Sequence, residues 1–585
     1  MSEEIVNNSD VLSIEEISRR HFLKVGVAGL SVLSSHSGYA KENESSGFLP
    51  FNELAIQQAS GLRLAEGFKY KTLCAFGDPL HAGMKAYDPK SLSGEEQKKR
   101  FGAACDFIHV FEQSDDKAIL CFNNEFPELG GHPDRAEREQ AAYHSVGVSI
   151  AAIKRDGRDE WKIDFLSQLN RRVTPSSKAL ITGPAAGHER MKSKASPDGI
   201  RTAGTLGNCA GGYTPWGTYL TAEENVQQYF SGEIKGHKEE ENFKRFGMND
   251  NGNFFARLDP RFDLNSGYQS ALHFGMVVEI DPLEPNEPIK KHSMLGRCRH
   301  ECAKVRVNKE GYIEVYTSDD QGFEYIYKFI SAEKYKEGDR QHNKTLLEAG
   351  VLHVAKFAED GKMAWLPMIF GEGKLTKEHG FNSQADVQID SRKAADLLGA
   401  TPMDRPEDID IDPKTGNIFF FMTGNRARSR DKLNSANPIE MGAGHIIELN
   451  DQGTQGKWNF FVICGKFSGD PVNSTFTQET SLSGCFVYPD NGAFDRDGEL
   501  WVCSDGYSFP GFTDGLWHCE KKDDRVISRR FATPPKAAEF TGPYFLKNSK
   551  ELFLSVQHPA TNPSGSFPDF NHLKARSAVV VISRD

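Results

Sequence analysis

The sequence predicts an all-β protein, a β-propeller with inserted loops and a few short helices. Three observations carry that expectation. Short runs of alternating apolar and polar residues recur between residues 118 and 556, bounded by Gly, Asp, Asn and Pro. Several share a local grammar of strand, Asp-containing turn and strand. Asp410-Ile411-Asp412-Pro413-Lys414-Thr415-Gly416-Asn417-Ile418-Phe419 and Phe494-Asp495-Arg496-Asp497-Gly498-Glu499-Leu500-Trp501-Val502 are two copies, and residues 545–554 form a weaker third. Finally, a chain of 585 residues is longer than the single two-sheet sandwich that is the main all-β alternative.

Along the chain, the first element is an address. Ser18-Arg19-Arg20-His21-Phe22-Leu23-Lys24 precedes a mildly apolar run at 25–33, and Gly38-Tyr39-Ala40 follows as a small-x-small cleavage site. An arginine pair before a weak apolar core is the pattern of a twin-arginine export signal, here residues 1–40. The run is too short to span a bilayer, which takes about 20 apolar residues, and no other stretch approaches that length. The expected mature protein starts near Lys41, is soluble and is periplasmic or secreted, with the twin-arginine translocase as its export partner. Folding before export places cofactor loading in the reducing cytoplasm, so most of the ten cysteines are expected to be thiols or ligands.

Beyond residue 50 the expected strands fall at 118–123, 145–153, 275–281, 312–318, 417–423, 444–449, 499–504 and 551–556. Helical periodicity is confined to 94–101 and 391–398, and segments 232–254 and 331–350 read as exposed insertions. No linker divides the chain, so residues 41–585 are expected to form one domain.

Composition narrows the function. Apolar residues are 38% and aromatics 11%, which excludes a disordered chain. With 70 basic against 82 acidic residues the net charge is −12, and no basic cluster offers a face for nucleic acid. Surplus carboxylates favour multivalent cations as partners. No GxSxG, Walker A, GxGxxG or HExxH motif occurs in a fitting context.

The chemistry concentrates in a few segments. In Asn208-Cys209-Ala210-Gly211-Gly212, glycines flank a cysteine, and Glu223-Glu224-Asn225 follows after a Pro215-Trp216-Gly217 turn. A thiolate near carboxylates is a mixed soft and hard donor set, suited to iron better than to calcium alone. A buried structural cysteine is the plainer alternative. In Gly296-Arg297-Cys298-Arg299-His300-Glu301, alternation puts Cys298, His300 and Cys302 on one face and Arg299 and Glu301 on the other. The Cys-His-Cys face would be a weak zinc set, short of a fourth ligand, while Glu301 gains interest from the downstream pair Asp319-Asp320. In Asp404-Arg405-Pro406-Glu407, proline fixes the backbone between a guanidinium and a carboxylate, so that both can face one cavity. Pro489-Asp490-Asn491, Glu539-Phe540-Thr541-Gly542-Pro543 and Gln557-His558-Pro559 sit at strand ends, where propeller sites collect.

Taken together, these segments resemble the PhoX family of alkaline phosphatases. The matching series runs from the arginine pair through Asn208-Cys209, Glu223-Glu224-Asn225, Val278-Glu279-Ile280-Asp281-Pro282, His300-Glu301 and Tyr325-Ile326-Tyr327-Lys328-Phe329. It continues through Asp404–Glu407 and Pro489–Asn491 to Glu539–Pro543 and Gln557–Pro559, covering most of the mature chain. One departure is Ala222, where the family often has a second cysteine. The resemblance implies a monomeric six-bladed propeller whose axial site holds two ferric ions, Fe(3+), and calcium ions, Ca(2+). It implies Cys209 as the iron thiolate, with Glu224, Glu301, Glu407, Asp490 and Glu539 as carboxylate ligands. Arg405 would hold the phosphate oxygens, with Asn208 nearby. The implied activity is that of an exported, metal-dependent alkaline phosphatase hydrolysing phosphate monoesters. Two other readings compete: a calcium-dependent propeller lactonase or esterase, which has no use for the Cys209 thiolate, and a non-catalytic secreted propeller that binds a ligand.

Overall fold

Alternating Val, Ile, Phe and Tyr residues give each apolar run one face to bury, and the runs become strands of antiparallel meanders. The computed structural model describes residues 47–56, 61–155, 157, 160–464, 474–506, 513–547, 550–561, 566–569 and 574–585. The expected export signal at 1–40, and the start near Lys41, lie outside the described residues. Among the described residues, no helix is long and apolar enough to cross a membrane.

The strands form several sheets, and the chain follows six successive meanders through them. Their first strands are Cys105–Ser114, Asn208–Tyr213, Lys304–Val307, Pro406–Ile411, Pro489–Phe494 and Glu539–Phe545. The third and fourth meanders join into one nine-stranded sheet where Lys362–Pro367 pairs with Gln455–Ile463. The six first strands neighbour one another in cyclic order, and Glu539–Phe545 packs back against Cys105–Ser114. Closure comes from the far end of the sequence. Phe68–Ala75 pairs antiparallel with Ala578–Arg584 and completes the sheet begun by Glu539–Phe545 and Glu551–Gln557.

The first strands approach so closely that side chains are excluded at some positions. A Cβ on Gly212 would lie 1.8 Å from the Ala303 carbonyl oxygen of the next meander. Gly542 combines a left-handed φ of 54° with a close approach, 2.6 Å from Ile108 N. Between sheets the core is continuous, with Phe107, Tyr219, Ile409, Phe420 and Ile447 in one cluster.

Most expected strands are found nearly in place: Tyr312–Ser318, Ile418–Met422, Leu500–Ser504 and Glu551–Gln557 among them. Three expectations need correction. Residue 145 ends a helix, Arg135–Ser145, and the strand begins only at Gly147. The helical pattern at 94–101 gives one turn, Gly94–Gln97, whereas Ser391–Leu398 is helical throughout. The insertions are not merely exposed. Segment 232–254 buries Phe243, Phe246 and Met248 in a satellite core, and 331–350 buries Leu346 and Leu347. The ten cysteines form no disulfide with one another.

Candidate active site

Four of the first strands begin alike. A residue in the left-handed region precedes each: Ala104 (φ 46°), Gly207 (φ 60°), Arg405 (φ 55°) and Tyr488 (φ 52°). Two residues on come Asp106, Cys209, Glu407 and Asp490. In each case the strand's first residue pairs with the last residue of the second strand: Cys105 with Asn124, Asn208 with Glu223, Pro406 with Met422 and Pro489 with Ser504. A register shift then follows, the signature of a β-bulge that re-aims the side chain beside it. One residue beyond those partners stand Glu125, Glu224, Thr423 and Asp505. The third meander repeats the register through the His300–Asp319 bridge, which supplies Glu301 and Asp320. A local rule applied around the ring thus brings acids and one thiol to the same end.

The donors form a chain of overlapping sets. Asp106, Glu125 and Cys209 offer ligand atoms all within 4.8 Å of one another, as do Cys209, Glu224 and Glu301, and then Glu301, Asp320 and Glu407. The Cys209 thiol donates to Glu301 Oε1 at 3.1 Å and to Asp106 Oδ2 at 3.6 Å. Gln557 Nε2 donates to Asp106 at 2.7 Å and Glu125 at 3.3 Å, and Asn225 Nδ2 donates to Glu125 at 3.3 Å and to Glu224. Arg405 Nη2 lies 2.8 Å from Asp320 Oδ2 and 2.7 Å from Glu407 Oε1.

So many acids cannot all be ionised in a dry site without counter-charge. Burial, then the neighbouring carboxylates, push Glu224, Glu301, Asp490 and Glu539 well above the usual carboxylate range. Glu407 rises too, through burial, although Arg405 opposes it. Asp106 is pushed up to about 7, mainly by burial. Burial and then Asp106 raise the Cys209 thiol. Burial alone would lower Arg405, but Asp320 and Glu407 hold it fully charged. Asp106 Oδ1, Glu301 Oε2 and Asp320 Oδ1 are buried without hydrogen-bond partners. Partnerless carboxylate oxygens in overlapping donor sets are what multivalent cations would satisfy, so the residues fit a metal cluster.

The candidates read from sequence largely converge here. Arg405 and Glu407 pair, and Cys209 joins Glu224 and Glu301. Asp490 and Glu539 share the field of Asp505. Asn208 is fully buried, and its amide donates to Thr205 Oγ1 at 2.7 Å and Thr221 Oγ1 at 2.9 Å, neither of them a cluster acid. Glu223, the other half of the paired glutamates, faces away and is bound by Lys291 at 2.6 Å. The zinc reading of Cys298, His300 and Cys302 fails. Both ring nitrogens of His300 are engaged, with Thr317 Oγ1 at 2.8 Å and the Gly296 carbonyl at 3.1 Å. Sequence reasoning missed Asp106, Glu125 and Asp505. It also gave no role to Arg299, whose buried Nε is unpartnered and whose charge acts on Glu224. The one usable signal was positional, an acid two residues past a turn.

A profile of the alkaline phosphatase PhoX family matches residues 49–560. The chain belongs to the PhoX alkaline phosphatase family. Among solved structures, Pseudomonas fluorescens PhoX in complex with vanadate, a transition state analogue, is 33% identical, covering 91% of this chain and 98% of that one with a TM-score of 0.85. A Dyadobacter fermentans DSM 18053 protein of unknown function is 10% identical over 89% of this chain and 100% of its own, with a TM-score of only 0.31, and carries no argument. No curated protein sequence matches. As a PhoX-family member this protein is a phosphatase, a phosphoric monoester hydrolase with the fold of its Pseudomonas relative. The lactonase and non-catalytic readings give way to that membership.

Proposed function

We propose that this PhoX-family enzyme hydrolyses phosphate monoesters where the six first strands converge, with Arg405 gripping the phosphoryl group and cations seated among the acids. The observation that carries the reading is the overlap of donor sets around Cys209 and Glu301, together with partnerless oxygens on Asp106, Glu301 and Asp320. Cys209, Glu224 and Glu301 combine thiolate with carboxylate and suit ferric iron; Glu407, Asp490 and Glu539, with Asp320, are oxygen donors that suit iron or calcium. Bound there, such cations would supply Lewis acidity toward the phosphoryl oxygens. Arg405 contributes a planar, permanently charged fork whose side chain is 36% exposed, open enough to meet a ligand. The carboxylates around it fix its orientation before substrate arrives. Asn208 acts by position, anchoring to Thr205 and Thr221 the strand start that carries Cys209.

The cyclic order of the first strands supports a six-bladed propeller; one domain over 41–585 rests on the lack of a dividing linker in the sequence, and a monomeric state on the family resemblance alone. The pair Arg19-Arg20 supports export by the twin-arginine pathway to the periplasm or beyond. Replacing both with lysine should strand the enzyme in the cytoplasm, and normal levels outside on fractionation would refute that route. The metal assignment is tested by Cys209→Ser. An alcohol fills the space but lacks a thiolate's electron donation. The variant should fold and keep calcium while losing most iron and activity. Full iron content with wild-type turnover would overturn the assignment.

A further inference from the structure

Arg405 holds a left-handed backbone, φ 55°, a conformation unfavourable for a non-glycine residue. Its surroundings show what keeps it there. Asp404 accepts from Arg428 Nε at 2.6 Å, and the two side chains are 3% and 0% exposed. Arg428 also donates to the carbonyls of Pro402 at 2.9 Å and Lys432 at 2.6 Å, and lies over the Phe323 ring at 4.7 Å. Main-chain bonds run from Gly424 N to Asp404 O at 3.0 Å and from Thr423 N to Arg405 O at 3.1 Å. The other partner in the site is held the same way. Asp320, which accepts from Arg405, follows Asp319, which is buried and accepts from Arg392 Nε at 2.7 Å. The two segments are stitched together by Phe323 N to Met403 O at 2.7 Å and Met403 N to Glu324 O at 2.8 Å.

We propose that the buried Asp404–Arg428 pair is a positioning device for hydrolysis, holding Arg405 in its left-handed conformation so that the guanidinium meets the phosphoryl group beside Asp320 and Glu407. A buried ion pair adds little net stability, because desolvation offsets its attraction. What this one supplies is a fixed direction at the residue before Arg405. The inference rests on the reading of Arg405 as the phosphoryl ligand.

A double-mutant cycle tests it, using the metal-loaded enzyme, a chromogenic phosphomonoester and inorganic phosphate as inhibitor. Arg428→Met and the near-isosteric Asp404→Asn should each keep their metals and lose roughly ten- to a hundred-fold in kcat/KM, the scale expected for a misplaced contact. Phosphate inhibition should weaken in parallel. In an Arg405→Ala background, neither substitution should cause further loss. Equal losses in both backgrounds, or unchanged phosphate inhibition, would make the pair merely structural and overturn the proposal. Should Arg428→Met fail to fold, Asp404→Asn alone and combined with Arg405→Ala carries the same comparison. Wild-type turnover by Arg405→Ala by itself would instead refute the phosphoryl-ligand reading, and the brace with it.

Discussion

An arginine facing two carboxylates is not equivalent to a lysine, although the charge is the same. Arg405 reaches Asp320 and Glu407 through one nitrogen, which leaves the rest of its fork for phosphate oxygens. Arg405→Lys should therefore keep the metals yet lose one charge-assisted contact. That is about 1.5–3 kcal/mol, or roughly ten- to a hundred-fold in kcat/KM. Inorganic phosphate should inhibit it less. Glu407→Gln, two residues on, should lose metal as well as rate, and metal analysis beside initial rates separates the two. Stripped metals with unchanged phosphate inhibition in Arg405→Lys would mark the arginine as structural. This pair was legible because Pro406 joins its members within one short segment. Asp106 and Glu125 were not, because they meet only through the Cys105–Asn124 register, which no local pattern announces.

At the level of strands, function depends on how closely neighbouring meanders approach. Gly212 carries no left-handed φ, so its requirement is one of space: a Cβ would meet the Ala303 carbonyl at 1.8 Å, and backbone cannot rotate away. Gly212→Ala should push the strand that carries Cys209 away from the segment 301–303 that carries Glu301, destabilising the fold by about 3 kcal/mol, the upper end of overpacking costs. A lower denaturation midpoint and poorer metal retention are expected together. A wild-type midpoint would show slack between the two. Strands were readable wherever alternation was clean, as at Tyr312–Ser318. The helix Arg135–Ser145 escaped notice because its buried face is mostly small, with Ala141 and Ala142 in place of a bold apolar stripe. The insertion at 232–254 was misread because Phe243 and Phe246 sit among Lys, Glu and Gly.

For the whole molecule, buried acids set how stability responds to pH once cations are removed. Burial pushes Asp106 and Asp514 up to about 7 and Asp410 to about 6. The folded chain therefore takes up these protons where the unfolded chain, with carboxyls near pH ~4, stays ionised. Their contribution is complete below the unfolded value and is lost as pH rises through 6 to 7. Metal-stripped enzyme should gain Tm between pH ~8 and ~5, while loaded enzyme should lose it as protons displace cations. A falling Tm in the stripped protein would contradict the burial of these acids as described. The closing of the ring also sets a schedule for biosynthesis. Phe68–Ala75 emerges from the ribosome early yet has no partner until Ala578–Arg584 has been made. Glu539, Gln557 and Asp106 likewise come together only across that seam. A nascent chain can fold sheet by sheet, but the sheet that Glu539–Phe545 begins stays incomplete until Ala578–Arg584 has joined Phe68–Ala75 to it. A chain halted before residue 578 would leave Phe68–Ala75 and Glu551–Gln557 each short of a partner strand, and purified in that form it should show less phosphatase activity than the full chain.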